Sequence, residues 1–410
     1  MSDVYSGCLT KWDIDLDNNV QKPWRGQTTL ILALLAVALG MGNVLRLPYV
    51  IGEQGGGAFL IVYCAVLAVV VGPLLIAELT LGSLGRASPM GSVQWVASLA
   101  SRDTRWRWIG ALQAVLAFFV ATLLLVPVVI GVEAGYAIYQ GAWGAASAGE
   151  IVSALSEVET ADHLRILALV VAVIVFTALP GPQVVLAIVG WLLVPVILGM
   201  LYIALGFASD VGDLSAANEW LFKYRPEQLS PQGALTAALA ALSTLGAGVG
   251  IGLVFGSRSP QGLPLIRAVI AVGILDTAIM LVTAIVIVAV TAAVDVEMTQ
   301  GLALLVVSLP YAFVNLPTGE LYGMLIVASI LLSSLAALIA LIEPMVAILA
   351  RELRMPRLLA MGAIALALYV TAALTITETV LRQTIDGWFC LLYTSPSPRD
   401  LSTSRMPSSA

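Results

Sequence analysis

Histidine occurs once in 410 residues, at His163, and cysteine three times, at Cys8, Cys64 and Cys390. A single imidazole leaves little scope for histidine catalysis or a histidine metal site, and three widely spaced cysteines make neither a disulfide framework nor a metal knuckle. Charge is also scarce. Asp, Glu, Lys and Arg together are 11% of the chain, where ordinary globular domains carry roughly 25%. There is no basic face for a nucleic acid. The glycine-rich EQGGGAF at Glu53–Phe59 lacks the Lys-Ser/Thr pair of a phosphate loop, and no nucleophile stands with a base, so an enzyme is not expected.

Apolar length is what the chain has instead. Hydrophobic residues are 60% of it and the mean hydropathy is +0.99. A bilayer is crossed by about 20 apolar residues in helical form. Such runs fall near 28–50, 58–82, 108–140, 164–181, 184–208, 232–257, 265–294, 322–350 and 358–376, with a tenth beginning near Leu381. The expected class is an all-α membrane protein in contact with the lipid bilayer. The first 27 residues are polar and the first apolar run is too long for a signal-peptide core, so no cleavable signal is expected.

Loop charge gives an orientation. With the N-terminus inside, Lys11, Lys22, Arg25, Arg86, Arg102, Arg105, Arg107, Arg258, Arg267, Arg351, Arg354 and Arg357 are cytoplasmic, and only Arg165, Lys223, Arg225 and Arg382 are outside. The positive-inside rule therefore places residues 1–27 in the cytoplasm, and the expected location is the inner (plasma) membrane. Two outer connections stand out. Residues 210–231 read as an ordered cap, and 299–321 as a short re-entrant or cap hairpin turned at Pro310 and Pro317.

Two spans carry residues that a continuous lipid-facing helix would not. The first places Gly40, Gly42, Asn43 and Arg46 at membrane depth, and the sixth places Gly246, Gly248, Gly250 and Gly252. Lipid cannot hydrogen-bond a backbone, so a helix opens there only where protein or a water-filled cavity satisfies the freed groups. Each break exposes half-helix ends of opposite partial charge. Interrupted helices one and six suggest two five-helix halves, the second inverted, with a transport site at their interface.

The stretch WRGQTTLILALLAVALGMGNVLRLPYVIGEQGGGAFLIVY, with its G-x-G-N-x-x-R-x-P and E-x-G-G-G-A-F patterns, resembles the start of the neurotransmitter:sodium symporter family, bacterial amino-acid transporters with the leucine-transporter fold. The similarity continues through GVEAGYAIY, NEWLFKYRPEQLSP, LDTAIML, SLPYAF, IEPMVAILAREL and IDGW, from Trp24 to Phe389. It implies a transporter domain over 28–389, incomplete at helix 10. CLLYTSPSPRDLSTSRMPSSA at 390–410 reads as a non-native tail, with a disordered tail as the alternative.

The resemblance also implies a site. One sodium would be held by the Ala38 carbonyl, Asn43, Thr244 and Asp276, all oxygen donors as a hard cation requires. The fixed carboxylate of Asp276 implies no chloride requirement. A second sodium would use carbonyls of Ala36, Leu39 and Ser333, but the two family hydroxyls fall on Ala336 and Ala337, and Ser333 and Ser334, one turn earlier, could substitute only with a register shift. One sodium, or coupling to a proton through Glu343 or Asp276, is left open. For the acids Glu78, Glu133 and Glu343, pairing with backbone or a neighbouring helix is the favoured reading.

An amino-acid carboxylate would meet the amides of Gly40, Met41 and Gly42, beside Ala38 and Thr244. The family's helix-3 Tyr is replaced by Val129. The remaining wall would be Val37, Leu125, Ser243, Gly246, Val249 and Leu341, an apolar lining. Arg46 and Asp386 match the family's outer ion pair. Trp24 matches part of the inner gate, whose usual Arg is Gln21 and whose Asp is Arg351, leaving Lys22 or Arg25 with Glu352 as substitutes. Sodium-coupled symport of an amino acid or small amine is the leading expectation. The alternative is a transport-deficient binding or sensing protein of the same fold.

Overall fold

The computed structural model describes residues 26–140, 160–181, 184, 187–259, 262–294, 301 and 304–377, apart from the side chains of Asn43 and Val306. Its first apolar run is not one helix. Helix α1 (Gln27–Ala38) stops at Leu39, Gly40 takes an extended conformation, and α2 (Met41–Glu53) starts again beyond it. The sixth run breaks the same way: α9 (Pro231–Thr244) and α10 (Ile251–Gly256) are separated by turns in which Gly246, Gly248 and Gly250 all have positive φ.

Between and after these come α3 (Gly57–Gly85), α4 (Pro89–Leu99), α5 (Thr104–Tyr139), α6 (Thr160–Ala178), α7 (Val189–Val211) and α8 (Leu214–Phe222). The chain continues with α11 (Leu265–Ala292), α12 (Leu309–Val314), α13 (Gly319–Glu352) and α14 (Arg357–Thr377). No strand forms among the described residues, beyond an isolated bridge from Gly56 to Tyr224. Seven of the helices (α3, α5, α6, α7, α11, α13, α14) are long and apolar enough to cross a membrane. With the two interrupted spans they account for the nine expected runs. The protein is a multi-pass membrane protein.

Helix α13 is the centre. In its most apolar window 67% of residues are buried, against 22% for α3, so α13 is surrounded by protein while α3 shows most of its surface to lipid. It packs chiefly on α5, and also on α7, α1 and α14. Phe119, Phe176, Ile274 and Leu366 are exposed on the spanning helices. A soluble monomer does not tolerate such a belt; a bilayer requires it.

The residue 210–231 segment is ordered, as expected. Asp213 caps α8 by accepting from the Ala216 N–H at 2.9 Å, and Trp220 Nε1 donates to the Pro48 carbonyl at 3.1 Å. Gly56 sits at φ 58° beneath this cap, and a Cβ on it would lie 2.5 Å from the Lys223 carbonyl oxygen. Only glycine fits that close approach at a left-handed backbone. One expectation is corrected in the outer hairpin. Pro317 lies in a turn, but Pro310 is inside α12, in the first helical turn. A π-helical turn, Leu304–Ser308, runs directly into α12, so Pro310 sits within a continuous helical stretch and not at a chain reversal.

Candidate functional site

A helix that stops in a membrane leaves its last carbonyls and the next helix's first N–H groups without partners. At the sixth-span break a side chain supplies one. Glu78 Oε1, on α3, accepts from the Gly248 N–H at 2.9 Å and from Gln113 Nε2 of α5 at 2.7 Å. The expectation that Glu78 pairs structurally with backbone and a neighbouring helix describes what is seen.

The last residue of α9 is Thr244, and it joins two other spans. The Tyr63 hydroxyl of α3 donates to Thr244 Oγ1 at 3.2 Å, and Thr244 is hydrogen-bonded to the Asp276 carboxylate of α11. Asp276 is 1% exposed, and its Oδ2 has no hydrogen-bond partner among the described residues. A buried carboxylate oxygen with nothing to accept from is an expensive arrangement unless a cation completes it. Tyr63 is not legible from sequence as a member of this group. A lone Tyr in FLIVYCAVL reads as ordinary packing, and the one available signal is a hydroxyl at membrane depth.

Of the other residues expected at the first sodium, Ala38 ends α1 and is buried. Asn43 lies in the first turn of α2, but its side chain is outside the described residues. For the second sodium, Ala36, Leu39, Ser333, Ala336 and Ala337 are all buried, and a Cβ on Gly40 would stand 3.6 Å from the Ala337 Cβ. The first-span break therefore packs on α13 at that position, but it meets a methyl where a cation would need an oxygen.

A cavity of about 40 Å³ lies beside it, with Leu39, Gly40, Asp276, Thr283, Ser329 and Ser333 in its lining. A water needs about 10–15 Å³ by this measure, so the space fits an ion with one or two waters and not an amino acid. Of the expected substrate wall, Val37, Met41, Leu125, Val129 and Leu341 are buried, and Gly40, Gly42, Gly246 and Val249 partly so. Val37 and Gly246 face each other across the two breaks, and Met41 reaches Gly131 on α5. Ser243 is the departure. It is exposed, and its hydroxyl donates to the Ala240 carbonyl at 2.9 Å, because the turn of α9 that buries Thr244 points its neighbour away.

Both gates reach beyond the described residues. Arg46 is buried on α2, while Asp386 and Trp24 lie outside the described residues, as do Gln21, Lys22 and Arg25. Glu352 accepts from the Ser88 hydroxyl at 2.7 Å and is 3.6 Å from Arg107. Arg351 donates to the Arg86 carbonyl at 3.1 Å. Glu343 pairs with neighbouring helices as favoured, with Arg357 at 2.5 Å and Arg258 at 3.6 Å, whereas Glu133 lies 3.0 Å from His163 but neither of its oxygens accepts a hydrogen bond among the described residues.

Comparison with known proteins agrees with this fold. Residues 21–143 match the model of the sodium:neurotransmitter symporter family. An uncharacterized sodium-dependent transporter, YhdH, from Bacillus subtilis is 26% identical over 338 residues, covering 80% of this chain and 72% of that protein. The sodium- and chloride-dependent GABA transporter ine of Drosophila melanogaster is 31% identical over 119 residues, which cover 29% of this chain but only 11% of that relative. The crystal structure of MhsT in complex with L-phenylalanine superposes with a TM-score of 0.79 at 23% identity, covering 91% of this chain and 86% of that one, and establishes the fold.

Proposed function

We propose that the chain, whose residues 21–143 match the sodium:neurotransmitter symporter family model and which is similar over most of its length to a sodium-dependent transporter, is a member of that family and a sodium-coupled symporter of an amino acid or related small amine. The observation that carries this reading is Asp276: a buried carboxylate bonded to the last residue of α9, with one oxygen left over, between helices that break within the membrane. A cation there places positive charge next to the site where a solute carboxylate would bind. The amides of Gly40, Met41 and Gly42, at the positive end of α2, are the receptor for that carboxylate.

The apolar wall of Val37, Leu125, Val129, Val249 and Leu341 favours an apolar side chain on the solute. MhsT, in complex with L-phenylalanine, is a precedent within the fold. The two broken spans belong to two inverted five-helix halves that rock about the site. In this reading the N-terminus is cytoplasmic in the inner membrane, Arg46 and Asp386 close the outer side with Trp24 on the inner, and chloride is not needed.

Uptake into proteoliposomes tests the proposal. A panel of labelled amino acids is offered with and without an inward sodium gradient. Accumulation of an apolar member that stops when an ionophore collapses the gradient is the expected result. Saturable binding without accumulation would favour the transport-deficient binding protein instead, a reading motivated by the missing hydroxyls at Ala336 and Ala337.

A further inference from the structure

On α13 the positions that the family resemblance assigns to sodium-binding hydroxyls are Ala336 and Ala337, and Gly40 packs against the second of them. Oxygen donors reappear one and two turns earlier in the helix. Ser329 and Ser333, four residues apart and so on one face, line the same cavity as Leu39, Thr283 and Asp276.

Resting on the sodium-coupled reading, we propose that this chain holds one sodium in a relocated site, formed by the Asp276 carboxylate, the hydroxyls of Ser329 and Ser333 and the carbonyl end of α1 at Leu39. It replaces both of the sites that the resemblance implies. The protons of the serine hydroxyls are already committed. Ser329 donates to the Ile326 carbonyl at 2.7 Å and Ser333 to the Ile330 carbonyl at 2.8 Å. What each has left is lone pairs, the requirement of a cation ligand.

Asp276 Oδ2, in the same lining, accepts no hydrogen bond among the described residues. The third contribution is backbone. Leu39 N–H bonds back to the Leu35 carbonyl and the helix then ends, so the carbonyls that follow have no helical donor and carry the negative end of the α1 dipole. Apart from Gly40 and Thr283, the rest of the wall is Val, Ile, Leu and Met. In such a low-dielectric setting a carboxylate attracts a cation strongly.

The test is equilibrium binding of ²²Na⁺ to the full chain in nanodiscs, without organic solute, together with sodium-driven uptake in proteoliposomes. One sodium per chain is expected. Ser333→Ala and Ser329→Ala should each raise the half-saturating sodium about tenfold, the loss of one charge-assisted ligand, and Ser333→Thr should restore it. Ser334→Ala is the control. Its hydroxyl donates to the same Ile330 carbonyl at 2.7 Å but is not in the cavity lining, so binding should be unchanged.

Two sodium ions per chain, wild-type affinity in both serine-to-alanine variants, or an equal loss in Ser334→Ala would each overturn the relocated site while leaving sodium-driven uptake intact. Absence of ²²Na⁺ binding together with sodium-independent uptake would overturn the symport reading as well.

Discussion

Glu78 on α3 accepts a hydrogen bond from the Gly248 N–H at 2.9 Å, across the break that separates α9 from α10. The same oxygen accepts from Gln113 Nε2, so one carboxylate ties three spans at the point where the backbone can least supply its own partners. Gly252 passes so close that a Cβ on it would lie 2.6 Å from Glu78 Oε2.

Removing that carboxylate should therefore cost stability out of proportion to its size. Glu78→Ala leaves a partly buried N–H and a partly buried amide without acceptors, at most about 1–3 kcal/mol for each. Glu78→Gln keeps one acceptor oxygen and should fall between. Thermal unfolding of the purified variants checks this order. Equal melting temperatures for Glu78→Ala and wild type would show that the break satisfies itself by other means.

Asp276 carries the second prediction. If its carboxylate supplies the negative charge that balances sodium, uptake by the wild type should be unchanged when chloride is replaced by gluconate. Asp276→Asn keeps the shape and an acceptor for the Thr244 hydroxyl but removes the charge. Half-saturating sodium should rise about tenfold or more, and chloride should now stimulate uptake. Wild-type uptake that fails in gluconate would refute the role.

The breaks themselves are legible in the sequence. Glycines at 40, 42, 246, 248, 250 and 252 weaken a helix in runs otherwise fit to span a membrane, and the helices part within a residue or two of where the pattern places them. Pairing across the bundle is not legible. Arg258 counts as one more cytoplasmic charge in a tally of loops, yet it is buried against Glu343, some 85 residues away in the chain. Ser243 and Thr244 look equivalent on paper. A helix turns about 100° per residue, and that rotation buries one and exposes the other. The cavity serines are only half legible: counting back along the helix from Ala336 and Ala337 offers Ser333 and Ser334, whereas the shared lining with Asp276 keeps Ser333, drops Ser334 and adds Ser329.

The cap over the bundle should respond to acid. Asp213 sits beyond the end of α7, where the Ala216 N–H and then the Ser215 hydroxyl hold its carboxyl below the usual range. The folded value is depressed, so its contribution to α8 is present above the ordinary carboxylate range, near about 3.9, and is lost as pH falls through the folded value. Hydrogen exchange of the α8 amides, corrected for intrinsic rates, should accelerate in the wild type only in strong acid. Asp213→Ala should exchange fast at every pH. Identical pH profiles for the two would remove Asp213 as the cause.

Glu343 sets the last expectation. It is fully buried on α13 with Arg357 at 2.5 Å and Arg258 at 3.6 Å, and Arg258 is itself buried. Two guanidiniums share one carboxylate, so deleting the acid leaves two like charges facing each other, whereas deleting one arginine leaves a pair. Breaking a buried ion pair from one side costs about 3–5 kcal/mol. Glu343→Gln should approach that loss, and Arg258→Met should cost much less, because it removes a buried charge while Arg357 still satisfies Glu343. Arg357 is partly exposed and its own deletion is cushioned by solvent. Melting temperatures measured in one detergent decide it: if Arg258→Met falls as far as Glu343→Gln, then the cluster works through packing at the end of α10 and not through charge.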